Sequence, residues 1–329
     1  MIRAAFVTVV LGISLSSITH ADQFTGLVVE SKIPLGAISG RIDHLAIDIA
    51  RQRLYVAELG NDSVGVVDLG EHKVIRTLTG FSEPQGIAYV PTTDAIYVSN
   101  GGDGSVRIIN AANLAPNRKI DIGEEADNVR FDADTNRVYV GYGHGAIAVI
   151  DPVTGQKIAT IQLKGHPESF QIVDKSPLIF LNIPETHEIA TIDSEQNSQT
   201  ASRNTLDLHG NFAMAIDNFH QRIAVAFRHP AKLNIYSITN GTVMLSASTC
   251  KDADDVFVDR VRERLYVSCG EGFVDIFELQ AGAYHQAGRF ATVSGARTSL
   301  YVPELDRLFV AARATLTAPA AIWVLRPER

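Results

Sequence analysis

Apolar β-formers recur along the chain in short runs, most of them led by a charged residue. The runs are Arg53-Leu54-Tyr55-Val56, Ala95-Ile96-Tyr97-Val98, Arg137-Val138-Tyr139-Val140, Leu178-Ile179-Phe180-Leu181, Arg222-Ile223-Ala224-Val225, Arg264-Leu265-Tyr266-Val267 and Arg307-Leu308-Phe309-Val310. Their third positions are spaced by 42, 42, 41, 44, 42 and 43 residues. A steady period in the low forties, built from short β-rich runs, is the pattern of propeller blades. Each unit divides into four strands. In the first, these are Leu45–Asp48, the run itself, Ser63–Asp68 and Lys73–Leu78, here named a to d. Gly60-Asn61-Asp62, Gly101-Gly102-Asp103-Gly104 and Asp151-Pro152 mark the turns. The sequence predicts an all-β fold, a seven-bladed β-propeller of four-stranded antiparallel blades.

The two ends of the repeat predict how the ring closes. The last unit runs out after its third strand, Ile322–Leu325. Leu27–Ile33 is a spare strand ahead of the first unit. Pairing the two completes the seventh blade and removes the exposed edges that an open ring would present. One domain is expected over residues 22–329.

Residues 1–21 differ from the rest. Arg3 is followed by an apolar stretch from Ala4 to Leu15, and Thr19 and Ala21 are small residues at the spacing of a cleavage site. This reads as a cleaved secretory signal peptide, so a periplasmic or secreted protein is expected, with no membrane span. The apolar run is shorter than the ~20 residues a spanning helix needs.

Tyr97-Val98-Ser99-Asn100, with Gly-rich loops and Ser105-Val106-Arg107-Ile108-Ile109 after it, resembles the YVTN-type repeat of YncE-like bacterial propellers. That resemblance implies the fold. It implies no single activity, because the group includes binding proteins and surface-layer proteins.

Comparing the repeats with one another separates two kinds of polar position. Asp48, Asp132, Asp217 and Asp259 stand at one place, the end of strand a, where Asp caps a turn through its own backbone. These serve the blade. Twelve residues before the third position of each run the residue is instead polar but varied: Asp43, Gln85, Asp127, Glu168, Phe212, Asp254 and Arg297. The next column is His44, Gly86, Asn128, Ser169, Ala213, Asp255 and Thr298. Strand a is innermost in a propeller, so these points are expected to ring one mouth of the central channel. Asp43, His44, Gln85, Asp127, Asn128, Glu168, Asn211, Asp254, Asp255 and Arg297 are the candidate ligand-binding residues, with Asn211 replacing the polar group missing at Phe212.

Four acids converging in one ring repel one another unless a cation or Arg297 relieves them. A divalent cation, Ca²⁺ or Mg²⁺, is therefore a candidate cofactor. Zinc is less favoured, because His44, His144 and His166 come from different blades without local ligand spacing. No G-x-S-x-G occurs, and no phosphate loop opens a helix. The whole chain carries 29 Lys and Arg against 37 Asp and Glu, with no basic run, so nucleic acid is not an expected partner. Two functions remain open. One is a monomeric propeller binding a small polar ligand or a protein partner at the mouth; the other is a metal-assisted lactone hydrolase or lyase. Export also favours a disulfide between Cys250 and Cys269, the only two cysteines. Asp254 is expected opposite Cys269, and two separate buried thiols are the alternative.

Overall fold

The computed structural model describes residues 26–328, so the signal segment lies outside the described residues. Seven four-stranded antiparallel sheets stand around one axis. Blade one is Leu45–Asp48, Arg53–Glu58, Ser63–Asp68 and Lys73–Thr79. The same a-b-c-d order repeats through blade six, which runs from Ala253–Asp259 to Ala283–Ala291. In blade seven, Ser299–Val302, Arg307–Ala312 and Ala321–Pro327 are joined by Leu27–Pro34 as the outer strand. Leu27 pairs with Pro327 and Pro34 with Ala321. Side chains reinforce this closure: Arg307 is ion-paired to Glu30, and Lys32 lies 3.5 Å over the Trp323 ring. The expected ring closure is borne out. Among the described residues, no helix is long and apolar enough to cross a membrane.

The periodic run supplies the packing between blades. Tyr55, Tyr97, Tyr139 and Tyr266, its third residues, are completely buried. Tyr55 of blade one packs with Ile87, Ile96 and Val98 of blade two. Burying a side chain of this size contributes roughly 2–3 kcal/mol. The Asp column caps turns as expected. Asp48 Oδ1 accepts from the Arg51 amide at 3.1 Å, and Asp259 Oδ1 from the Val261 amide at 3.0 Å. Two of these aspartates also tie blades together. Arg51 bridges Asp48 at 2.6 Å to Asp94 of blade two at 2.7 Å. Arg262 bridges Asp259 at 3.0 Å to Asp306 of blade seven at 2.7 Å.

One irregularity recurs where strand a leaves the mouth. The a–b register slips between Pro84 and Ile87, Ala126 and Val129, Asn211 and Ala213, and Ala253 and Asp255. Blades one and four pair two residues against one in the same place. Ala57 accepts from the Asp43 amide and donates to the His44 carbonyl; Asn182 does the same with Glu168 and Ser169. Such a bulge bends the strand and re-aims the extra side chain. In these six blades the varied polar column is this bulge position, which takes its side chains out of the regular in-and-out alternation of the strand.

Cys250 and Cys269 are joined in a disulfide, with Cα atoms 5.8 Å apart. The residue opposite Cys269 is Ala253 rather than Asp254. Asp254 is the bulged residue, and the bulge displaces it from the ladder by one position.

Candidate functional site

Arg41, Asp43, His44, Asp127, Asn128, Glu168, Ser169, Phe212 and Asp254 line one small cavity at the mouth. The loops ahead of strand a in blades one, three, four, five and six therefore converge, as the column comparison predicts. The cavity measures about 20 Å³, room for one ion or water.

Arginines hold one side of the ring. Arg41 Nη2 lies 2.7 Å from Asp43 Oδ2. Asp254 is gripped from both sides, by Arg228 Nη2 at 2.5 Å and Arg297 Nε at 2.9 Å. Asp252 joins the same cluster, 3.2 Å from Arg228 and 3.1 Å from Arg297. Arg228 in turn stacks on Phe212, 3.6 Å from the ring centre, so the apolar member of the column positions a cation.

The other side has no such partners. Asp127, His166 and Glu168 each place a donor atom within 4.8 Å of the others. His166 Nδ1 is 2.6 Å from the Gly143 carbonyl, which fixes a proton on Nδ1 and leaves Nε2 facing Asp127 Oδ2 at 3.6 Å. A backbone carbonyl behind a ring nitrogen is the usual way a metal-binding histidine is oriented. The Asn128 side-chain oxygen is buried without a hydrogen-bond partner, on a residue that lines the same cavity. Three residues with oxygen donors thus line an ion-sized space, with the His166 nitrogen within 4.8 Å of two of those donors.

The protonation states reflect that crowding. Burial, then the neighbouring Asp127 charge, pushes the Glu168 carboxyl up to about 8. Burial opposes a charged His166, but the bond to Asp127 and the Gly143 carbonyl outweigh it and push the imidazole up to about 9. Burial also raises Asp43 above the usual carboxylate range. Arg130 of blade three donates to the Val129 carbonyl at 2.9 Å. Burial lowers its pKa, against the pull of Asp255 and Asp127.

No known protein-family model matches the chain, and no curated protein does. Solved structures do. A chain of the Kuenenia stuttgartiensis hydrazine synthase superposes with a TM-score of 0.74 at 16% identity, covering 91% of this chain and 96% of that one. A chain of a mitotic checkpoint complex superposes with a TM-score of 0.80 at 11% identity, covering 99% of each. The likeness is one of fold alone.

Four of the sequence candidates, Gln85, Asn211, Asp255 and Arg297, lie outside the cavity. Gln85 folds its side chain over Gly101 of its own blade, where an added Cβ would stand 2.0 Å from its amide nitrogen. Asn211 is fully buried and donates to the Glu188 carbonyl at 2.8 Å and to Asn182 at 3.3 Å. It fastens blade five to blade four and does not replace the polar group missing at Phe212. Asp255 accepts from the Ser299 amide of blade seven at 2.7 Å, with His44 Nδ1 at 4.0 Å from its other oxygen. Burial pushes its carboxyl up to about 6. Arg297 reaches the site through Asp254. The site residue that column comparison passes over is His166, two positions ahead of the bulge. The signal for it was Gly165-His166-Pro167, whose proline restricts the preceding backbone.

Proposed function

We propose that this protein is an exported, YncE-like propeller whose channel mouth binds a divalent cation, and over it a small polar ligand or a protein partner. The reading rests on one observation: Asp127, Glu168 and Asn128, whose side-chain oxygen has no hydrogen-bond partner, line a cavity of about 20 Å³, and His166 places a ring nitrogen within 4.8 Å of the Asp127 and Glu168 oxygens. The oxygen majority suits Ca²⁺, Mg²⁺ or Mn²⁺, and the single imidazole favours Mn²⁺ over the other two. Asp43 and Asp254 are already paired with arginine, which leaves Asp127, and Glu168 once its proton is displaced, as the charge that a cation would answer. The disulfide is in keeping with an oxidising compartment. The solved neighbours include a chain from an enzyme and a chain from a protein assembly, so the scaffold does not choose between these roles.

The test is metal analysis of the purified protein, followed by thermal melts with Ca²⁺, Mg²⁺, Mn²⁺ and Zn²⁺. A cation at a hundredfold excess over its Kd stabilises by about 2.7 kcal/mol. That gain is expected in the parent protein and lost in Asp127→Asn and Glu168→Gln. No shift with any of the four ions would refute the reading.

The metal-assisted lactone hydrolase or lyase has one observation in its favour. Glu168, raised to about 8, is a carboxyl that keeps its proton near neutrality, as a general acid must. Cation-dependent lactone turnover, abolished in Glu168→Gln, would establish that reading.

A further inference from the structure

Outside the ring, on the same face, blades four and five bring three histidines together. His187 follows the short turn Pro184–Thr186 after strand b of blade four and has φ 54°. His209 opens strand a of blade five (His209–Asp217), and His229 ends its strand b (Arg222–His229). His209 and His229 stand directly opposite in the antiparallel ladder, which sets both side chains on one side of the sheet with Cβ atoms roughly 4.5–5.5 Å apart. The Nδ1 atoms of His187 and His209 are 3.1 Å apart, and their rings meet edge to face with centroids at 4.4 Å. His44, His144, His166 and His220 all have a carboxylate within ion-pair distance. Among the described residues, these three have none within 4.0 Å.

Two neutral imidazoles at this distance share one proton, one Nδ1–H donating to the other lone pair. The same separation also fits two ligands on one ion. With metal–nitrogen bonds of about 2.0–2.1 Å, ligand nitrogens lie about 2.9 Å apart at a right angle and about 3.4 Å apart at the tetrahedral angle. The observed gap falls between these values, so binding needs the shared proton to pass through solvent to the Nε2 atom of its own ring, and the two Nδ1 lone pairs to turn toward one ion. His209 and His229 are exposed and His187 is half-buried, so an ion reaches the pair directly from solvent. Imidazole donors without carboxylates select borderline dications over Ca²⁺ or Mg²⁺.

We propose that His187 and His209 form the chelating pair of a second, surface metal site for Zn²⁺, Cu²⁺ or Ni²⁺, with the exposed His229 rotating in as a third ligand. Water fills the remaining positions. The site is independent of the channel mouth in both residues and ligand chemistry.

The test uses the full mature chain without an affinity tag, titrated with Cu²⁺ at neutral pH and followed by calorimetry and electron paramagnetic resonance. Asp127→Asn, which lacks the mouth site, is expected to bind one Cu²⁺ with superhyperfine structure from two or more nitrogens, and the parent protein to show the same signal beside that of an ion at the mouth. His187→Ala and His209→Ala are each expected to weaken that binding at least tenfold, and His229→Ala to remove one nitrogen from the spectrum. Metal-free melting curves of the variants check folding; His209→Gln replaces His209→Ala if the latter is destabilised. A spectrum with oxygen ligands only would overturn the proposal, as would Cu²⁺ affinity unchanged in a folded His209 variant.

Discussion

His166 Nε2 faces Asp127 Oδ2 at 3.6 Å, across the boundary between blades three and four. Because Nδ1 is occupied by the Gly143 carbonyl, the face of the imidazole toward the channel is the one that changes with pH. The pair therefore stands either as a protonated imidazole beside a carboxylate or, once that proton leaves, as two donors turned to one space.

This makes stability and cation binding run in opposite directions with pH. Glu168 is raised from 4.5 to about 8 and His166 from 6.5 to about 9. Both groups hold protons more tightly in the folded state than in the unfolded chain. Their contribution is full below the unfolded values and is lost as pH rises through the folded ones. The cation-free protein is expected to lose stability between about pH 5 and pH 9, while the gain from added cation grows over the same window. Melts near pH 5.5 and near pH 8.5, with and without Mn²⁺, measure both; an equal cation shift at the two values would contradict the linkage.

Glu168→Gln isolates the carboxyl. Above about pH 8 the variant no longer has to ionise a buried acid beside Asp127, so it is expected to melt roughly 2–4 °C higher than the parent in cation-free buffer. Near pH 4 the two should melt alike.

Gly86 marks where backbone contact shapes the site. An added Cβ would stand 2.3 Å from the Asp127 carbonyl and 2.8 Å from the Val129 amide, both backbone atoms of the neighbouring bulge. Gly86→Ala is expected to cost roughly 1–3 kcal/mol and to weaken cation binding together with stability. Denaturant melts and cation titration of the same preparation check it.

The disulfide closes a span of 19 residues around the loop that carries Asp252 and Asp254. Cys250→Ser combined with Cys269→Ser is expected to cost about 2–4 kcal/mol. Unfolded, unreduced parent protein should titrate no free thiol.

Arg228 carries two loads, the ion pair to Asp254 and the stack on Phe212. Arg228→Met keeps most of the stacking surface and leaves Asp254 to Arg297 alone. A loss of roughly 1–2 kcal/mol is expected, eased by added salt far less than an exposed pair would be, because Asp254 is only 11% exposed.

The repeat made the fold legible because a buried aromatic, Tyr55 or Tyr97 for example, recurs at the same position in six of the seven blades, with Ala224 in its place in blade five. It also located the mouth, since a bulge shared by blades one to six keeps its varied residue in register. Which side chains share the cavity was not legible. Gln85 and Asp127 hold the same column position, yet Gly101 offers Gln85 a place to fold back and nothing comparable draws Asp127 away. Asn211 was committed to the Glu188 carbonyl by a contact between blades that no column records. His187 follows a turn of blade four, while His209 and His229 stand at strand ends of blade five, so comparing repeats could not align them.

The strand Leu27–Pro34 has its partner about 290 residues further along the chain. Blades one to six each complete themselves from consecutive residues. The seventh draws on both ends of the described chain, so its outer pairing carries the largest loop-closure cost of any strand pair in the fold. The hydrogen bonds between Leu27–Pro34 and Ala321–Pro327 are the ones that turn a row of sheets into a ring.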